Sequence, residues 1–247
     1  MTENQRTQLQ ANSVALTPEQ IRFYDDFGYL IIPGIFDEEA CKIMSEAGEA
    51  VAEEDYSVVL NIHRRVDLFL DIMKDPVLVA MVEAVQRHQV VGLNSQFLYK
   101  KPGTPYAKQS WSPHQDNAYV RASYGGYMQL HIFLDRNEKE NGGLYYYAGS
   151  QKEDLLPYEY VKSWKEEVGE DGLTHPGWKV VPPSQYRKVD AVGPKGGVCL
   201  QHGNIIHGSY PNLTGDRWRR QYSMAYLNDG EEFLKGQTSI KIPVALR

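Results

Sequence analysis

The chain has 247 residues, 42% hydrophobic and 23% charged, with 26 basic against 32 acidic side chains and a formal net charge of −6. This composition excludes a disordered or collagen-like chain, and the acidic balance gives no global support to a nucleic-acid-binding face. Two cysteines, Cys41 and Cys199, are too few for a disulfide framework or a cysteine-rich zinc site. No apolar run approaches the ~20 residues of a membrane span, and the polar opening MTENQRTQLQANS lacks the apolar core of a secretory signal. The expectation is a soluble, cytoplasmic protein whose partner is a small molecule rather than nucleic acid or a membrane. Monomer and homodimer remain equally open.

Residues 1–15 are polar and read as a flexible tail, with a single domain over 16–247. Thr17-Pro18-Glu19-Gln20 is a helix start with a capping box, and Gly28 closes that helix. Tyr29 to Ile32 is a short strand. Asp37 caps a second helix with an apolar stripe through Ile43, Met44, Ala47 and Val51, and a third helix runs from about Pro76 to His88. Beyond Gln89 the period changes to short β-branched and aromatic segments at Val90–Tyr99, Tyr127–Leu134, Gly143–Tyr147, Gly197–Gln201, Ile205–Tyr210, Arg220–Leu227 and Thr238–Val244. Turn signals separate them, so the pattern predicts a mainly β sandwich or barrel with N-terminal helices on one sheet. Residues 151–187 form an insertion longer than an ordinary connection, of the kind that covers a site.

In Trp111-Ser112-Pro113-His114-Gln115-Asp116 an imidazole and a carboxylate lie two residues apart. In extended backbone they face the same way and can converge on one metal. His207 ends another β-like run, and two imidazoles with one carboxylate are the facial triad of non-haem iron sites. A surface hydrogen-bonded pair, or zinc on the same ligands, fits the spacing too. Downstream, Arg217, Trp218, Arg219 and Arg220 precede a partly apolar strand, so one inward arginine, with Ser209 as a second donor, could clamp a dicarboxylate.

These segments together resemble the phytanoyl-CoA dioxygenase family of Fe(II)- and 2-oxoglutarate-dependent oxygenases, from about Thr17 to Leu227. The carriers are the entry Leu16-Thr17-Pro18-Glu19-Gln20, Tyr99-Lys100-Lys101-Pro102-Gly103, His114-Gln115-Asp116, Asn141-Gly142-Gly143-Leu144, Ala148-Gly149-Ser150-Gln151 and His207-Gly208-Ser209 with Asn212. The resemblance implies a double-stranded β-helix (jelly roll, cupin-like). It also implies iron on His114, Asp116 and His207, and Arg219 on the distal carboxylate of 2-oxoglutarate. Arg217 is the alternative, because the turn before it carries an extra residue. Ser209, His131 and Phe97 are further co-substrate neighbours by the same resemblance. His131 stands where the family commonly has Trp and is read as a core histidine bonded to Tyr rather than a fourth metal ligand. The implied chemistry consumes O2, decarboxylates 2-oxoglutarate to succinate and oxidises a C–H bond, with hydroxylation as the default. The presence of Asp116 disfavours the halogenating variant.

Asn94, Gln96, Gln115, Asn117, Tyr119, Arg121, Tyr124, Gln129 and Tyr147 flank or alternate along the metal strands and are the candidate substrate contacts. Such a lining suits a small polar metabolite or natural-product intermediate, and no basic tract stands ready for the phosphates of an acyl-CoA. A non-catalytic cupin-like binding module and a zinc hydrolase are the rival readings.

Overall fold

The computed structural model describes residues 9–52, 57–108, 110–161, 177–235 and 241–247. Helix α1 (Pro18–Phe27) starts as its capping box dictates: Thr17 Oγ1 accepts from Gln20 N–H and Gln20 Oε1 accepts from Thr17 N–H. Gly28, at φ 78°, ends it in the left-handed region and turns the chain into β1 (Tyr29–Ile32). Helix α2 (Glu38–Glu49) follows an Asp37 cap, then come β2 (Val58–Leu60), α3 (Asp67–Met73) and α4 (Pro76–Gln86).

The β-rich remainder comprises β3 (Val90–Lys100), β4 (Trp111–His114), β5 (Tyr127–Phe133), β6 (Leu144–Tyr147), β7 (Glu159–Val161), β8 (Gly177–Lys179), β9 (Lys188–Asp190), β10 (Val198–His202), β11 (His207–Ser209) and β12 (Arg219–Asn228). Among the described residues they form a six-stranded sheet ordered β1-β10-β5-β12-β3-β2, a four-stranded sheet ordered β4-β11-β6-β9, and the separate hairpin β7-β8, all antiparallel. This is the expected jelly roll. The larger sheet is apolar on its outer face. There Leu130, Ile132, Val198, Leu200, Tyr222, Met224 and Tyr226 join the helices in one buried cluster. Helix α3, too short and poorly capped to announce itself, is held by strand tyrosines: Tyr222 and Tyr226 donate their hydroxyls to the Phe69 and Met73 carbonyls.

The inner face of that sheet is polar. Period-two alternation brings Gln129, His131, Cys199, Gln201, Gln221, Ser223, Gln96 and Lys100 to it, and Lys100, Cys199 and Gln201 meet Ser209, Tyr146 and His207 of the smaller sheet.

Three expectations change. The described end of the N-terminal tail is docked rather than loose, since Leu9 and Ala11 are buried in the main core and Asn12 N–H donates to the Ile35 carbonyl. The strand expected at Thr238–Val244 lies partly outside the described residues; Val244 makes only an isolated bridge to Gly92. Of the insertion at 151–187, the flanks form β7 and β8, while 162–176, including Trp164, lie outside the described residues.

Candidate active site

Strand β4 ends at His114, Gln115 stays extended, and a 3-10 turn begins at Asp116. Alternation therefore sends His114 and Asp116 inward and Gln115 the other way. His207 begins β11 directly opposite His114. The ligating atoms of His114, Asp116 and His207, all buried, lie within 4.8 Å of one another. His114 Nε2 is 3.3 Å from Asp116 Oδ1, and His207 Nε2 is 3.5 Å from Asp116 Oδ2. The other ring nitrogens face carbonyls: His114 Nδ1 is 2.8 Å from Ser112 O and His207 Nδ1 is 3.2 Å from Ile205 O. Carbonyls only accept, so each ring keeps its hydrogen on Nδ1 and turns an Nε2 lone pair toward the carboxylate. The facing lone pairs of His114 Nε2 and Asp116 Oδ1 repel unless a cation or an extra proton sits between them, and His207 Nε2 lies 3.3 Å from the Gln201 amide nitrogen; three such buried donors together are the chemistry of a divalent-metal site.

The electrostatics agree. Burial acts to raise the Asp116 carboxyl, but His207 and His114 outweigh it and hold it down at about 2. Burial, opposed by the Asp116 charge, lowers His207 to about 4. Burial also acts to lower His114, yet the hydrogen bond its protonated ring makes to Asp116 and the Asp116 charge prevail and raise it. Asp116 Oδ2 further accepts from Gln129 Nε2 at 2.5 Å and Gln201 Nε2 at 2.7 Å.

Further along the inner face of the larger sheet lie two buried basic side chains, Arg219 and Lys100, paired across β12 and β3. Arg219 Nε donates to Gly142 O at 3.2 Å, and among the described residues no carboxylate forms an ion pair with it. Burial lowers its pKa only to about 10, so it stays charged. Lys100 donates to Ser209 Oγ at 2.8 Å and to the Tyr210 carbonyl. Burial and the Arg219 charge push its pKa well down. A buried guanidinium beside a lysine amine and a hydroxyl offers donors suited to a carboxylate. Arg217 instead pairs with Glu138 at the surface, and Arg220 grips Asp135 bidentately and Glu49.

The remaining expected residues divide. Gln96 and Asn94 lie on the inner face of β3, where a bulge sets Leu93 and Asn94 against Ala225 alone. His131 is buried on the same inner face, bonded to Gln201 and Ser223 rather than to a tyrosine. Phe97 is not beside the co-substrate pocket. It points to the outer face, against Phe69, Tyr99 and the α2 backbone at Gly48. Tyr147 likewise lies on the outer face of β6, with Tyr145, while Tyr146 faces His207. Gln115 is spent on anchoring the insertion, accepting from Leu156 N–H and donating to the Asp154 and Asn204 carbonyls. Asn117 is spent on its own loop, through Ala122 and Asn204. Tyr119 stacks on Trp178 at 4.0 Å, and Trp178 stacks on Tyr158 at 4.1 Å, closing one wall beside His114. Sequence reasoning missed Lys100 and Gln201.

A sequence profile described as phytanoyl-CoA dioxygenase matches residues 24–221. The chain belongs to that family. It is therefore an Fe(II)- and 2-oxoglutarate-dependent oxygenase, with O2 as oxidant. A probable alpha-ketoglutarate-dependent hypophosphite dioxygenase from Stutzerimonas stutzeri is 29% identical over 227 residues, covering 81% of this chain and 75% of the relative. Among solved structures, the carbocyclase SnoK from nogalamycin biosynthesis superposes with a TM-score of 0.71 at 18% identity, over 95% of this chain and 96% of SnoK. The epimerase SnoN, solved with Fe3+, alpha-ketoglutarate and a nogalamycin species, gives 0.70 at 18% identity, over 86% and 84% of the two chains. Among the described residues no helix is long and apolar enough to cross a membrane.

Proposed function

We propose that His114, Asp116 and His207 hold the iron, that Arg219, Lys100 and Ser209 receive the distal carboxylate of 2-oxoglutarate, and that the enzyme hydroxylates a small polar metabolite. The observation that carries this reading is the convergence of three buried ligand atoms within 4.8 Å beside a sheet whose inner face also carries two buried basic side chains, Arg219 and Lys100. Bound there, iron chelated by the 2-oxo acid supplies the oxidising power. The chain's own residues do the rest. Asp116 and the two imidazoles would hold the metal by three ligands and leave its other positions for co-substrate and oxygen, Arg219 would fix which way the co-substrate lies, and the Tyr119–Trp178–Tyr158 stack screens one flank from water. Asn94 and Gln96, inward-facing amides on β3, favour a hydrogen-bonding substrate over an acyl chain that would leave them unpaired, at ~1–3 kcal/mol each. The activities of SnoN and SnoK, an epimerase and a carbocyclase of nogalamycin biosynthesis, support a substrate of natural-product type.

The test is anaerobic loading with Fe(II) and 2-oxoglutarate, followed by a panel of polar metabolites and acyl-CoA thioesters. Shifts of the metal-to-co-substrate absorption band are read for each, and hits are carried into succinate-release assays. The reading predicts shifts from polar compounds and coupled succinate formation. Shifts confined to long-chain acyl-CoAs would overturn the substrate class.

A further inference from the structure

We infer that His131 and Gln201 form a hydrogen-bonded lever that fixes Asp116 as a one-oxygen metal ligand, His131 acting through Gln201 without touching metal or co-substrate. The inference rests on the metal centre proposed above and concerns residues outside its ligand set.

The direction of every bond in the lever can be assigned. Gln201 Nε2 lies 2.7 Å from Asp116 Oδ2, and an ionised carboxylate only accepts, so the amide NH2 points at Asp116. The amide oxygen then points away, and His131 Nε2 lies 3.0 Å from it. That nitrogen must carry the ring hydrogen. His131 Nδ1 is consequently the acceptor: the Ser223 hydroxyl, 2.8 Å away, donates to it, and Gln221 Nε2 donates in turn to Ser223 Oγ at 2.9 Å. Donors run one way, from β12 through His131 and Gln201 to the carboxylate, in a chain that is buried throughout. Were the His131 N–H absent, the Gln201 amide could turn over and set a carbonyl against the carboxylate.

The consequence for Asp116 follows from lone-pair counting. Oδ2 accepts from Gln201 and, at 2.5 Å, from Gln129. Two donors use the two in-plane lone pairs of that oxygen, so Oδ1, facing His114, is the oxygen left for a cation. A carboxylate pinned in this way leaves more of the metal's coordination positions for the 2-oxo acid and oxygen than one swinging to bind through both oxygens.

The experiment titrates the purified full-length chain with Co(II) alone, measuring affinity by calorimetry and geometry by the visible ligand-field bands. Gln201→Met, close in shape but without the amide, and His131→Leu are each expected to weaken Co(II) about 10–100-fold and to alter the ligand-field bands. His131→Gln, whose amide N–H reaches the former Nε2 position, should restore both to near the parent. Thermal melts of the metal-free forms establish that each variant is folded. Parent-like affinity and bands in folded Gln201→Met, alongside lost binding in Asp116→Ala, would overturn the lever and leave the metal centre standing. Parent-like Co(II) binding in Asp116→Ala would overturn the metal centre itself, and the lever with it.

Discussion

Replacing Arg219 by alanine removes the cation proposed to receive the co-substrate while leaving the proposed metal ligands untouched. The side chain is 3% exposed and stays charged at neutral pH. Deleting one partner of a buried, hydrogen-bonded charge pair costs about 2–5 kcal/mol. At 1.4 kcal/mol per tenfold, that is roughly 30- to 4,000-fold in 2-oxoglutarate affinity. Lys100 moderates the loss. Its ammonium is held down by burial and by Arg219 itself, so removing the guanidinium relieves a repulsion and lets Lys100 carry charge more readily. The expected loss is therefore in the lower part of that range, about 30–300-fold. Anaerobic titration of the Fe(II) form with 2-oxoglutarate, following the charge-transfer band, measures it directly, and Fe(II) affinity in the same variant should be unchanged. Arg217→Ala, which removes a solvent-exposed pairing with Glu138, should change the titration by under about fivefold. A parent-like curve for Arg219→Ala, or a large loss confined to Arg217→Ala, would refute the assignment.

Four further outcomes are expected. His114→Ala and His207→Ala should each abolish Fe(II)-dependent decarboxylation of 2-oxoglutarate while circular dichroism shows a folded chain, because an open metal site adds little to folding. Burial holds His63, His131 and His202 down to about 4, from an ordinary 6.5. The unfolded chain thus binds protons first as pH falls, and stability, complete above about pH 6.5, should drop by up to ~1.4 kcal/mol per pH unit per histidine toward pH 4; the raised His114 opposes this, and urea midpoints at pH 5 and 7 measure the net. Phe97→Ala should cost about 3–5 kcal/mol of stability with unchanged 2-oxoglutarate affinity. Gly48→Ala, whose new Cβ would lie 2.4 Å from the Phe97 ring, should destabilise by about 1–3 kcal/mol in urea titration.

What could be read from the chain beforehand follows the range of the forces involved. Local signals were legible: the Thr17 cap, the Gly28 stop and the same-face geometry of His114 and Asp116 depend on neighbours within four residues. Errors arose where a strand's facing had to be chosen. Phe97 and Tyr147 sit one residue out of phase with the inner positions Gln96 and Tyr146, and a slip of one reverses the face. Lys100 was illegible because Lys100-Lys101 before Pro102 looks like a solvated turn; only its pairing with Arg219, 119 positions away by the numbering, shows it as buried. Gln201 was hidden in an apolar run, and its role appears only when β10 and the turn at Asp116 are brought together. Helix α3 carried neither length nor a side-chain cap, being held by tyrosines from a distant strand.

The aromatic wall beside the metal centre also makes this protein its own optical probe. Of the four tryptophans, Trp178 is sandwiched between Tyr119 and Tyr158, and Trp111 lies 6.3 Å, centroid to centroid, from the His114 ring. Trp218 lies elsewhere, beside the side chains of Lys101 and Arg220. An open-shell ion on His114 would draw excitation from the two nearby indoles and leave Trp218 bright. Metal loading can therefore be followed by partial quenching of intrinsic emission, with no label, no substrate and no turnover.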